Sequence, residues 1–275
     1  MTLIKSISGI RGTIGGVPGD GLSPLDIVKF TSAYGEWVKK GSGSARPKVV
    51  TGRDARVSGE MVINLVNSTL AGMGIDVLTL GLASTPTVEI AVQEENGEGG
   101  IIVTASHNPG EWNALKLLDS NGEFLDAIQG EIILDMAERE DFNYCRAAEL
   151  GKIDHVTGYD ERHIEMILGL EDVDVDAIRG AGFVVAFDSV NSVGGVIVPK
   201  LLQRLGVKEV YGINAEPDGH FSHNPEPLPA NLGELSELVK VKGADVDLQL
   251  TLMLTGWQLS LKTDHSLTRN ILWLL

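Results

Sequence analysis

Short unbroken apolar runs alternate along the chain with stretches whose apolar residues recur at roughly helical spacing, which predicts strands and helices in turn. Ser23-Pro24 opens the first helical stretch, with serine at a cap position and proline in the first turn. Leu25, Val28, Ala33, Trp37 and Val38 form its apolar set, and a flexible glycine–serine loop follows over residues 41–47. Lys48 to Thr51 read as a short strand. Ser58 stands where it would cap a helix from Gly59 to Met73, with Met61, Leu65 and Leu70 on one side. A strand from Ile75 to Leu80 and a helix from Thr87 to Gln93 lead to Ile101, Ile102, Val103 and Thr104. That run suits a strand buried on both faces of a parallel sheet. Ala114 to Leu118, a turn at Asn121-Gly122, and Glu123 to Leu125 read as a hairpin.

Charge is dense from Glu138 to Asp176, with helices predicted around Tyr159 to Leu168 and Val175 to Arg179. Gly182 to Asp188 is a second buried-type strand, followed by a helix from Val196 to Leu205 and a strand from Lys208 to Gly212. The β-α-β order predicts an α/β protein with two doubly wound parallel sheets and right-handed crossovers. The boundary is placed near residue 150.

Composition narrows the choice of partners. The formal charge of −16 argues against nucleic acid and against an anionic membrane surface. An anionic substrate would need a local basic lining. The single cysteine, Cys145, excludes an internal disulfide and fits a reducing cytosol, so a cytoplasmic location is expected. The amino-terminal residues lack the apolar core of a signal peptide, and no stretch approaches the length of a membrane span.

Candidate chemistry collects where the central strand ends. TASHNP (Thr104 to Pro109) places a serine, an imidazole and an amide at the carboxyl end of a parallel strand, where open α/β sheets bind ligands. Lys116 follows ten residues after Ser106. Ser6 to Gly21 reads as a glycine-rich loop with one cation, Arg11, whose backbone is suited to wrap an anion. No clear strand precedes it and no helix start follows, so it is not a dinucleotide fingerprint. FDSVNSVGG lacks the lysine of a phosphate-binding P-loop and reads as tight strand–helix packing. His220 and His223 lack the further ligands that a metal site needs.

TASHNP with the W-N-x-x-K segment at Trp112 to Lys116 closely resembles the active-serine loop of the α-D-phosphohexomutases: the phosphoglucomutases, phosphomannomutases and phosphoglucosamine mutases. Three further segments are similar to that family in the expected order: SGIRG at Ser8 to Gly12, GRDARVS at Gly52 to Ser58, and PDGHFSHNPEP at Pro217 to Pro227. The resemblance implies an intramolecular phosphotransferase that interconverts the 1- and 6-phosphates of a hexose or hexosamine through a phosphoserine. It implies Ser106 as the phosphoryl carrier, Lys116 as general acid and base, His107 sharing that role or orienting the phosphate, and Arg11 as phosphate clamp. Ser8, Gly9, Asn108 and Arg53 would bind substrate. Asp54, between Arg53 and Arg56, reads as the centre of an ion-pair and turn network supporting the site from behind. The family's Mg²⁺ would meet this chain through the Ser106 phosphate.

The family's three metal-holding aspartates, in D-x-D-x-D-R, have no counterpart in the tail. From Leu248 on, ten of 28 residues are leucine and only Asp264 is acidic, against 37 acidic residues in the first 247. Back-translating Gln249 to Trp257 as CAA TTG ACC CTG ATG TTG ACC GGT TGG and reading from the third base gives I-D-P-D-V-D-R-L. One nucleotide lost near the codons for Val246 and Asp247 would account for the change. The expected organisation is therefore domain I over 1–150, domain II over 151–246, and an aberrant leucine-rich tail over 247–275, without the family's third and fourth domains. A chain of that kind is expected to be inactive. Its alternatives are a non-catalytic phosphosugar-binding fragment or a phosphatase that hydrolyses its own phosphoserine.

Overall fold

A computed structural model of the chain describes residues 1–6, 9–226, 228–254 and the backbone of 257–261. In chain order the elements are β1 (Ile4–Ser6), β2 (Gly9–Thr13), α1 (Pro24–Gly41), β3 (Lys48–Arg53), α2 (Gly59–Gly72), β4 (Asp76–Leu82), α3 (Thr85–Glu94), β5 (Gly99–Val103), β6 (Trp112–Leu118), α4 (Ala127–Arg139), β7 (Ile153–His155), α5 (Tyr159–Leu168), α6 (Val175–Ala181), β8 (Val184–Asp188), α7 (Gly194–Arg204), β9 (Glu209–Ile213), α8 (Gly233–Lys242), β10 (Val246–Leu250) and β11 (Trp257–Leu261). They divide into two compact units: Met1–Ala105 with Glu111–Tyr159, and Ser106–Gly110 with Asp160–Leu275.

The first unit is built on a seven-stranded sheet in the order β1-β2-β6-β5-β3-β4-β7. It is parallel from β5 through β3 and β4 to β7, and antiparallel where β6, β2 and β1 join. All five residues of β5 are buried. Ile101 and Val103 point into a core shared with Ile27 and Phe30 of α1, Val66 and Leu70 of α2, and Ile133 of α4. Each such side chain fully removed from water stabilises the fold by about 1.5–3 kcal/mol. The opposite face takes α3, and glycine is needed there because the helix comes so close. A Cβ on Gly52 would lie 2.5 Å from Val88, and one on Gly100 would lie 2.9 Å from Val92.

Helix α1 begins as its sequence predicts. The Ser23 hydroxyl accepts from the Asp26 amide and the Asp26 carboxylate accepts from the Ser23 amide, a reciprocal cap. Lys39 and Lys40 in its last turn suit the helix dipole.

Three local expectations are corrected. Ser58 does not cap α2: its own backbone is helical, and its hydroxyl accepts from the Asn113 side chain at 3.0 Å instead. The glycine-rich segment is not all loop, because Gly9–Thr13 is drawn into the sheet between β1 and β6. The hairpin after Lys116 has no second strand. β6 pairs with β5 and β2, and residues 119–125 return only through a bridge between Leu118 and Phe124. The Asp119 carboxylate holds that turn by accepting from the amides of Asn121 and Glu123.

The second unit holds a four-stranded sheet in the order β11-β10-β8-β9, parallel across β10, β8 and β9, with β11 antiparallel at the edge. Helix α8 packs through Leu235 against Ala186 and Ala244. The start of α7 sits so close to the chain after β9 that a Cβ on Gly195 would fall 1.9 Å from the Ala215 carbonyl oxygen. FDSVNSVGG is thus a tight strand–helix junction, as expected. β10 runs to Leu250 and pairs with β8, so regular structure continues past Val246. The tail residues 262–275 and the candidate Ser8 lie outside the described residues. Among the described residues no helix is long and apolar enough to cross a membrane.

Candidate active site

In the first unit, β2 and β6 present two cations on one face of the sheet. Arg11 stands opposite Ala114 in the antiparallel register, and Lys116 is two residues further along β6, so both side chains project to the α3 side. Both are half-buried. Among the described residues the buried Arg11 Nε has no hydrogen-bond partner, as also holds for side-chain atoms of Thr31, Glu36, Thr85 and Gln249, whereas buried polar atoms are as a rule satisfied. Gly9 fixes this register from the other side: its φ is +116°, and a Cβ there would lie 2.3 Å from the Leu115 carbonyl oxygen.

The surroundings of Lys116 make its amine easier to deprotonate than an exposed lysine. Burial lowers its pKa most, Arg11 lowers it further, and the carboxylates of Glu89 and Asp54 oppose both. Its Nζ lies 5.3 Å from the centroid of the Phe124 ring. Glu89 has the mirror-image shift, raised by burial and lowered by Lys116. Glu89→Gln should therefore bring Lys116 to deprotonate at a lower pH than in the parent chain. Competitive acetylation of Lys116 across a pH series measures it, and an unchanged profile would remove Glu89 from the charge balance of this face.

Behind this face lies a fully buried ion pair. The Asp54 carboxylate accepts from the Arg56 amide at 3.0 Å, from Arg56 Nε at 3.1 Å and from the Thr104 hydroxyl at 2.6 Å. Both side chains have no solvent exposure. Burial pushes the Asp54 carboxyl up and the Arg56 guanidinium down, and each partner counteracts the other's shift. Arg56 Nη1 also donates to the Trp112 carbonyl at 2.8 Å. The pair thereby ties the end of β5, at Thr104, to the start of β6, at Trp112. These are the two ends of the segment that contains Ser106. The support expected around Asp54 is present through Arg56. Arg53 turns elsewhere, donating to the Asp54 carbonyl at 3.0 Å and approaching Glu60 at 3.5 Å.

Ser106 is half-buried and has φ +53°, a left-handed conformation that is uncommon for a residue with a side chain. His107 is exposed and Asn108 is half-buried. Residues Ser106–Gly110 group with the second unit, although both flanking strands belong to the first.

Residues 3–144 match the family model for phosphoglucomutase/phosphomannomutase alpha/beta/alpha domain I, and residues 161–250 match that for domain II. The chain belongs to the phosphoglucomutase/phosphomannomutase family. A phosphoglucomutase/phosphomannomutase from Thermococcus kodakarensis is 40% identical over 240 residues, covering 85% of this chain and 51% of the relative. A phosphoglucosamine/phosphogalactosamine mutase from Sulfurisphaera tokodaii is 32% identical over 241 residues, covering 86% and 50%. A crystal structure of a family protein from Burkholderia thailandensis superposes with a TM-score of 0.79 at 22% identity, over 95% of this chain and 56% of that one, and shares the fold. The chain spans about half the length of the curated relatives it matches.

Sequence reasoning did not find Glu89 or Phe124. Neither carries a local signal, since only the packing of α3 and the Asp119 turn against the sheet brings them to Lys116. Thr104 was legible as the last residue of the apolar run, but its bond to Asp54 was not.

Proposed function

We propose that this chain carries the phosphoryl-transfer half of a phosphohexomutase, with Ser106 as the carrier and a hexose or hexosamine phosphate as substrate. The observation that supports it most is the pair on one sheet face: Arg11, whose buried Nε has no partner among the described residues, and Lys116, whose amine pKa is lowered, mostly by burial. An anion-binding guanidinium beside a deprotonatable amine suits a reaction that is mostly positioning and charge neutralisation. In the proposed step a sugar hydroxyl oxygen attacks phosphorus, the Ser106 Oγ–P bond breaks, and the hydroxyl proton passes to the Lys116 amine, whose unprotonated form burial favours. The serine oxygen takes up a proton from solvent as it leaves, and Lys116 returns the sugar's proton to solvent, so the proton count closes. The reverse transfer, from the other phosphate of the bisphosphorylated sugar, regenerates phosphoserine. Arg11 would hold the phosphate oxygens, His107 would orient the group or share the proton, and Gly9, Asn108 and Arg53 would line the sugar phosphate together with Ser8. The names of the relatives favour glucosamine, glucose or mannose phosphates. A soluble metabolite of that kind fits a cytoplasmic protein.

The family resemblance implies Mg²⁺. Among the described residues no three His, Cys, Asp or Glu side chains gather to hold a metal. These residues therefore do not fit the ion by themselves. The alternative reading is a chain that binds phosphosugar without completing turnover.

The test is to incubate the full chain with a hexose 1,6-bisphosphate and locate any phosphate by peptide mass spectrometry. Phosphate on Ser106 is expected. Modification confined to other residues, or none at all, would overturn the proposed carrier. Thermal stabilisation by the sugar phosphate without any label would favour the binding-only reading.

A further inference from the structure

The second unit contains a buried acid–base pair that phosphoryl transfer does not use. Asp188, the last residue of β8, has a fully buried side chain and accepts from the Val190 amide at 2.9 Å and from the Asn214 side chain at 3.1 Å, both on Oδ1. Its Oδ2 lies 2.8 Å from His223 Nε2. The other ring nitrogen, Nδ1, lies 2.8 Å from the Asn224 carbonyl oxygen. Both ring nitrogens therefore face acceptors. A neutral imidazole has one N–H and can satisfy only one of them, whereas the doubly protonated ring satisfies both.

The pair joins two pieces of chain that hold each other in strained geometry. Val190 and Asn191 after β8, and Asn214 after β9, all have φ near +50°. Asn191 reaches across to the connection that carries His223: its carbonyl accepts from the Gly219 amide at 3.1 Å and its side chain accepts from the Ser222 amide at 3.2 Å. We propose that protonated His223, held by Asp188, is a pH-dependent latch that fixes the connection over residues 214–226 to the carboxyl end of the second sheet. With Nδ1 taken by a backbone carbonyl, the dyad is not arranged to activate a nucleophile.

The charged groups facing the ring come from three places. Asp188 faces it from β8 and Glu234 from α8, while Glu216, Asp218, His220 and Glu226 lie on its own connection. In keeping with the geometry, the bond to Asp188 raises the His223 pKa above 6.5, against the effect of burial. A folded-state pKa above the unfolded one gives a contribution that is complete below about pH 6.5 and is lost as pH rises through the raised value.

The test follows the Gly219 and Ser222 amides by hydrogen exchange in the full chain from about pH 5.5 to 8.5, corrected for intrinsic rates, together with the His223 ring resonances. Protection should fall several-fold as His223 loses its proton, at a pH above 6.5. In His223→Gln it should be low and flat across the range. Constant protection in the parent chain while His223 titrates would overturn the latch, as would a His223 pKa at or below 6.5. If the variant does not fold, the two measurements on the parent chain decide alone.

Discussion

Asp54→Ala is expected to destabilise the first unit by roughly 3–5 kcal/mol, the range for removing one partner of a buried ion pair. The Arg56 guanidinium would be left uncompensated in a place without solvent exposure, and the Thr104 hydroxyl would lose its acceptor. Set against a total stability of about 5–15 kcal/mol for an ordinary domain, that is a large fraction of the total, and it brings a domain at the low end of the range close to unfolding. Urea denaturation measures it directly. Most of the cost comes from the stranded charge, so Asp54→Leu combined with Arg56→Met should be milder than Asp54→Ala alone. A loss below about 1 kcal/mol for Asp54→Ala would mean that water reaches the guanidinium and that the pair does not brace the strand ends.

Ser106→Ala should abolish phosphate labelling of the loop by a hexose 1,6-bisphosphate, because the acceptor oxygen is gone. The backbone cost should hardly change. Serine already carries the cost of a left-handed backbone, about 1–2 kcal/mol for a residue with a Cβ, and alanine carries the same. Ser106→Gly should also lose the label, and should tolerate φ +53° with less strain. The two variants together separate chemistry from conformation. Labelling that persists in Ser106→Ala would assign the carrier role to another residue.

Local signals made much of this architecture legible. The unbroken apolar run at Ile101 to Thr104 is a fully buried central strand, as its composition demands. Ser23, Pro24 and Asp26 specify the start of α1 through atoms three residues apart. What escaped notice depends on partners distant in the chain. β2 is rich in glycine and has weak strand propensity; it is a strand because β1 and β6 supply its hydrogen bonds from either side. Ser58 resembled a cap until a side chain 55 residues away claimed its hydroxyl. The site divides in the same way. Arg11, Ser106 and Lys116 stand in recognisable motifs, whereas Glu89 acquires its importance only through the packing of α3. Asp188 and His223, 35 residues apart, are joined only by the fold.

The tight seat of Gly9 against β6 has a consequence for how this chain can change length. A one-residue insertion or deletion between Gly9 and Arg11 would turn Arg11 to the far side of the sheet, and the steric fit at Leu115 prevents the strand from sliding to compensate. The following turn is different: Gly15, Gly16 and Gly19 have nothing among the described residues within 4 Å of where a Cβ would stand. Length polymorphism among natural variants should therefore collect in residues 15–20 and be absent from the step between Gly9 and Arg11, so that the distance separating the two cations is inherited unchanged.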